Sequence, residues 1–188
     1  MKAFQLISVA FALLILFGCS KHDQQYHKAT FYTHQSDFAA AISIYENIVA
    51  SDAQNAFFLN NLGWALFRNG DIQAGLEKLV QAQKKSTDSK LTEAIKLNLE
   101  MVNLWQRGNE YMENANFEAA LAEFEPLIKT YGAKEIGLKY KALCLEQLGR
   151  TIEAKKSWEE LFSIYKGASF ESHYAKLAKE KLKSFQDT

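Results

Sequence analysis

The chain has 188 residues with 22 basic and 22 acidic side chains, and this neutrality excludes nucleic acid as a main partner, because phosphate binding needs a concentrated basic surface. Hydrophobic residues make up 48% and aromatic residues 13%, which excludes compositional disorder and leaves enough apolar surface for a core. A single proline and few β-branched runs point to an all-α fold.

The first element is an apolar run, Ala3 to Phe17, after one charge at Lys2; it stops at Gly18-Cys19 and the chain turns polar at once. At ~1.5 Å per residue this run falls short of a ~30 Å hydrocarbon core. A charge, a short apolar run and small residues are the layout of a secretory signal peptide, with an uncleaved N-terminal anchor as the alternative. Leu16-Phe17-Gly18-Cys19 resembles the bacterial lipoprotein signal, although Phe17 is bulkier than the residue usual there. The resemblance implies that residues 1–18 are removed and that Cys19 heads a mature domain of residues 19–188. Cys19 would carry a thioether-linked diacylglycerol and an N-acyl chain such as palmitate, and several acyl chains make anchoring effectively permanent. Ser20 stands where an aspartate would mark retention in the inner membrane, so the expected place is the inner leaflet of the outer membrane, facing the periplasm. With Cys19 acylated, Cys144 has no partner for an internal disulfide. Its apolar helical setting makes it a core residue, with a reactive thiol as the alternative.

Beyond the cysteine the chain repeats itself. NGDIQAGLEKLVQA at 69–82 is matched by NANFEAALAEFEPL at 114–127, LGRTIEAKKSWEEL at 148–161 and, more weakly, QSDFAAAISIYENI at 35–48. Aligned, they superpose the small residues Ala41, Gly75, Ala120 and Ala154, and one turn later the large residues Tyr45, Leu79, Phe124 and Trp158. Upstream, Ala29, Gly63, Gly108 and Ala142 recur at the same intervals of 34, 45 and 34 residues. Antiparallel helices crossing at ~8–10 Å need small side chains where their backbones approach. Asp37, Asp71 and Asn116 fall at the turn, where a side-chain oxygen can cap the next helix; Arg150 in the fourth unit cannot do this.

This spacing predicts helix-pair units at about 22–55, 56–88, 101–134 and 135–168. The extra residues of the long interval, 89–100, either extend the following helix without a break or form a separate short one. Leu91, Ile95, Leu99, Val102 and Trp105 keep helical spacing, and a continuous extension of 11 residues, close to three whole turns, would protrude from the edge. Pro126 should kink or shorten its helix. Residues 169–186, with Phe170, Tyr174, Leu177, Leu182 and Phe185 on one side, read as a capping helix, and their lysines as a solvated face.

A period of 34 with this small–large pattern resembles the tetratricopeptide repeat, on Leu62-Gly63, Gly70-Asp71…Gly75, Gly108…Tyr111 and Ala115-Asn116-Phe117…Ala120. Lys28, Arg107 and Lys141 depart from it, standing where the family prefers a large apolar residue. The resemblance implies an all-α, right-handed α-solenoid of about four helix pairs plus the C-terminal cap. The first helix of each pair would line a concave groove for a partner protein or peptide. That geometry places Phe57, Asn60, Trp64, Phe67 and Arg68 on the groove in the second unit, Val102, Trp105, Asn109 and Met112 in the third, and Lys139 and Leu143 in the fourth. Aromatic and thioether side chains beside amides suit an extended or helical peptide, while ordinary packing between repeats is the alternative for Trp64 and Trp105. Tyr26, Thr30 and His34 do not supply the lysine/asparagine clamp with which some relatives grip a C-terminal carboxylate.

Catalytic chemistry is not legible. There is no glycine-rich phosphate loop or nucleophile elbow. His22, His27 and His34 have no zinc-ligand spacing and read as solvated helix residues, so neither a metal nor a cofactor is expected. The functional expectation is a lipid-anchored adaptor or assembly factor of the bacterial cell envelope, similar to pilotin and pilus-assembly lipoproteins, and not an enzyme. The alternative is a structural envelope lipoprotein that associates with itself.

Overall fold

A computed structural model describes residues 21–130, 132–168 and 172–185. Within them the chain forms helices α1 (Lys21–His34), α2 (Phe38–Ser51), α3 (Ala56–Asn69), α4 (Ile72–Lys85), α5 (Ser89–Glu113), α6 (Phe117–Lys129), α7 (Lys134–Gln147), α8 (Thr151–Ile164) and α9 (His173–Ser184). No strand occurs among the described residues, and each helix packs on the next, which makes an all-α solenoid of four helix pairs closed by α9. The lipoprotein signal, Cys19 and Phe170 lie outside the described residues.

The repeat columns are the helix contacts. Ala29, Ala41, Ala120, Ala142 and Ala154 have no exposed surface, and Gly63, Gly75 and Gly108 are buried with them. In the second pair two glycines meet: a Cβ on Gly63 would stand 2.8 Å from the Gly75 carbonyl oxygen, and one on Gly75 equally close to the Gly63 oxygen. The large column fills the layer beside them, with Tyr45, Leu79, Phe124 and Trp158 all buried.

A further column emerges at the turns inside each pair. Ser36, Gly70, Ala115 and Gly149 follow the same intervals, and all four have left-handed backbone, at φ 60, 98, 55 and 71°. The next residue's N–H then reaches back to a carbonyl one turn inside the helix: Asp37 to Tyr32, Asp71 to Leu66, Asn116 to Tyr111 and Arg150 to Leu145. This left-handed stop is favoured by glycine, yet two units make it with serine and alanine. Asp37 and Asn116 accept from Ala40 N–H and Ala119 N–H as expected. Asp71 does not cap, because its carboxylate takes the Asn69 amide at 2.7 Å instead. Arg150 sits at the cap position and binds Glu153 through two nitrogens at 2.7 Å.

The 89–100 segment is part of one helix, α5, of 25 residues. Its extra turns do not simply protrude: Ile95 has no exposed surface, Leu91 packs with α1–α4, and Asn98 donates to the Asn60 side chain on α3 at 2.9 Å. The opposite face is open, with Leu97 53% exposed. Two cores result. One gathers the apolar faces of α1–α4 around Ile48, Leu59, Leu62 and Ile95. The other runs through α5–α9 and takes in Phe67 and Leu79. Leu99 packs against both, so α5 is the spine between a first module of two pairs and a second of two pairs with α9.

Other sequence details resolve locally. α6 continues three residues past Pro126 to Lys129, where Thr130 returns its hydroxyl to the Pro126 carbonyl at 2.9 Å. Arg107 and Lys141, charged where an apolar residue is usual, both reach α6, to Glu123 at 2.8 Å and Glu125 at 3.3 Å. On α9, Tyr174 and Ala178 are buried and Lys181 is not a solvated lysine: it binds Glu146 at 2.6 Å, and Glu146 also accepts from the Trp158 indole at 2.6 Å.

Three substitutions test this account. Ala115→Gly should stabilise by about 0.5–1 kcal/mol in urea unfolding, since it releases left-handed strain, and Gly149→Ala should destabilise by at least as much. Gly63→Ala should cost about 1–3 kcal/mol by overpacking, although alanine is the better helix former by ~1 kcal/mol in an open helix.

Candidate functional site

The eleven expected groove positions lie on the first helices of the later pairs, α3, α5 and α7, and α5 divides them. In the first module the chain covers its own surface. Phe67 is fully buried and stacked on Trp64 with ring centroids 5.3 Å apart; Asn60 is buried under Asn98. Arg68 is buried by residues distant from it in sequence. Its guanidinium lies 4.3 Å above the Phe38 ring and pairs with Glu135 at 3.2 Å, with the two side chains 10% and 6% exposed. Ser36 donates to the same Glu135 oxygen at 3.0 Å.

This contact reports how far the second module is displaced. Glu135 is in the first turn of α7, whereas Ser36 and Arg68 lie at the ends of α1 and α3. In a regular solenoid the starts of the first helices share one edge. Here the start of one meets the ends of two others, because the additional turns of α5 carry the later pairs along the helix axis. Gly132 makes the approach possible: its backbone passes over Trp64 with φ 91°, and a Cβ there would come within 3.2 Å of the indole nitrogen. Beside the pair lies a cavity of about 400 Å³ bordered by Thr33, Ser36, Thr130 and Lys134 among others.

On the second module five of the expected positions keep part of their surface exposed. Trp105, Asn109 and Met112 on α5 and Lys139 and Leu143 on α7 are each half-buried. Trp105 stands edge-on to Tyr140 at 5.6 Å, and Lys139 holds its ammonium 4.8 Å above the Tyr140 ring. Burial lowers the Lys139 pKa by desolvation. Val102, by contrast, is wholly buried in the second core. The eleven groove positions therefore divide in three. Asn60, Phe67, Arg68 and Val102 are interior and Trp64 is partly covered; Trp105, Asn109 and Met112 on α5 and Lys139 and Leu143 on α7 are partly exposed; Phe57, 39% exposed, lies apart at the start of α3.

Sequence reasoning missed Ser36, Gly132 and Glu135, which close the first module's groove. Ser36 could have been found, since it shares the column of Gly70 and Gly149. Glu135 reads as an ordinary acidic residue in a helix first turn, and only the displacement of the second module brings it to Arg68.

The remaining reactive groups are quiet. Cys144 is fully buried, and burial with the Glu118 charge pushes its thiol pKa up to about 11, well away from a reactive thiolate. His22 binds the Ser51 hydroxyl at 2.8 Å and packs on Phe58, while His27 and His34 are exposed. Among the described residues no group of three or more His, Cys, Asp or Glu side chains could hold a metal, and no helix is long and apolar enough to cross a membrane.

The family model described as "Tetratricopeptide repeat" matches residues 34–89 and 106–159. These spans omit most of α1, the N-terminal part of the first and weakest unit, and the extra turns of α5. No curated protein matches the chain.

Loss of the buried pair should be severe. Glu135→Ala leaves an uncompensated guanidinium and should cost about 3–5 kcal/mol in chemical unfolding, whereas Arg68→Met with Glu135→Leu should recover most of that loss.

Proposed function

We propose, from the premise that the chain belongs to the tetratricopeptide-repeat family, that it is a membrane-anchored adaptor or assembly factor of the bacterial cell envelope. Tetratricopeptide repeats are protein-interaction scaffolds and generally not catalytic, so the function sought is the binding of a partner protein. The observation that carries the reading is the partial exposure of the expected positions on α5 and α7. Trp105, Met112 and Leu143 offer apolar contact, Asn109, whose NH2 donates to Glu113, an amide oxygen for a peptide backbone, and Lys139 a cation held over the Tyr140 ring. Such a combination of desolvated anchors and a few polar groups is what a peptide or helix needs from a groove.

The anchor is acylated Cys19, supported by the Leu16–Cys19 motif, and Ser20 favours the outer membrane with the domain facing the periplasm. Pilus or secretion-system biogenesis is the machine preferred for this adaptor, on its likeness to pilotin lipoproteins. Self-association through the open face of α5 is the second reading, motivated by Leu97 at 53% exposure.

Photocrosslinking in intact cells tests the adaptor. A benzophenone residue in place of Trp105 or Leu143 should capture one envelope protein, and the same residue in place of Lys78 on the second helix of its pair should not. Capture of further copies of this chain alone, or equal yields from both faces, would replace the adaptor with the self-associating structure.

A further inference from the structure

The groove does not use the aromatic cluster at the other end of the first module. Tyr26 on α1 packs against Phe57 and Phe58 at the start of α3, with centroids 5.1 and 6.2 Å apart, and His22 meets Phe58 at 6.1 Å. Phe58 and Tyr26 turn partly into the core, but Phe57 keeps 39% of its surface exposed. These rings sit at one edge, where α1 and α3 both begin and α2 and α4 end. Lys85 at the end of α4 reaches Gln54 beside them, and α5 starts one short loop later.

The same edge is where the N-terminal segment enters the fold. The apolar run ends at Phe17, four residues before α1 begins, and Cys19 is two residues before it. Four residues of extended chain span at most ~14 Å. Whether the membrane is held by an acylated Cys19 or by the apolar run itself, hydrocarbon must lie within that distance of the start of α1. Aromatic side chains so placed belong to the headgroup layer, where a ring can be half apolar and half wet.

The geometry points to a second, non-covalent membrane contact: the Tyr26–Phe57–Phe58 edge rests in the lipid interface and stands the solenoid upright on the bilayer. The inference rests on the membrane anchoring proposed above but not on which form it takes. Charge in the helix ends and loops of this edge is balanced, with Lys84, Lys85 and Lys90 against Asp23, Asp52 and Asp88, so the contact is apolar in origin and independent of anionic lipid. The consequence for the groove is spatial. Helix α5 rises from this edge for 25 residues, roughly 37 Å of helix, and carries the partly exposed positions of the second module away from the lipid.

The test uses the full chain, produced in membranes and reconstituted into vesicles of phosphatidylcholine alone or with phosphatidylglycerol. A benzophenone residue replaces Phe57, or Tyr26 in a second variant, with a control at Ile152, which is 74% exposed in the second module. Phospholipid adducts from position 57 or 26 should exceed those from 152 by at least tenfold, in both lipid mixtures. Equal yields from all sites would overturn the proposal, as would adducts that require phosphatidylglycerol. Adducts from position 57 to residues 1–18 of the same chain would also overturn it, because the chain would then cover the edge itself. The mass of the N-terminal peptide in the same sample reports acylation of Cys19 separately. Lipid adducts without acylation keep the edge and remove the lipoprotein reading; acylation without adducts does the reverse.

Discussion

The unbroken course of α5 governs the rest of the structure. A helix preserves its face only over whole turns, and the 11 extra residues are close enough to three turns that the inner side of α5 stays apolar from Leu91 to Trp105. The helix can therefore serve two cores in succession, with Ile95 buried in the first and Val102 in the second. A separate short helix before Met101 would have required a break, and the sequence contains neither glycine nor proline between Ser89 and Gln106.

From that one continuity the tertiary arrangement follows. The later pairs are carried along the axis, so that the start of α7 meets the ends of α1 and α3 instead of their starts. Two backbones and two charges must then be accommodated where a regular solenoid would have open groove. Gly132 supplies the space beside Trp64, and Glu135 neutralises Arg68. A buried ion pair is a weak source of net stability, although breaking it strands a charge in a low-dielectric setting. In this chain it marks how far the second module has advanced.

The same displacement sorts the expected groove positions into a closed and an open part. Residues that a regular repeat would present to a ligand are used by the first module to hold the second, while the second keeps Trp105, Asn109, Met112, Lys139 and Leu143 accessible. Helix α9 ends the stack and begins close to these residues, with His173 near enough to Lys139 and Tyr174 near enough to Tyr140 to interact electrostatically, and it is tied to α7 and α8 through Glu146, Trp158 and Lys181.

The sequence by itself determined the repeats. Small residues at Ala29, Gly63, Gly108 and Ala142 and at their partner column can only be required by close backbone approach, which is a local demand of each pair and repeats with it. Capping at Asp37 and Asn116 and the burial of Cys144 were legible for the same reason, since each depends on neighbours within a few turns. Several departures from that reading share a cause. Lys181 and the groove candidates Asn60, Phe67 and Arg68 were assigned from the pattern of one unit, but their surroundings come from other units: from Asn98, Glu146 and Glu135 respectively for Asn60, Lys181 and Arg68, and for Phe67 from the second core. Asp71 differs in that a nearer donor, Asn69, outcompetes the backbone. Periodicity records what a unit must do to fold, so it survives in the sequence. The offset between modules is set by summed helix length and packing over residues 67 apart at Arg68 and Glu135, and only the tertiary structure decides it.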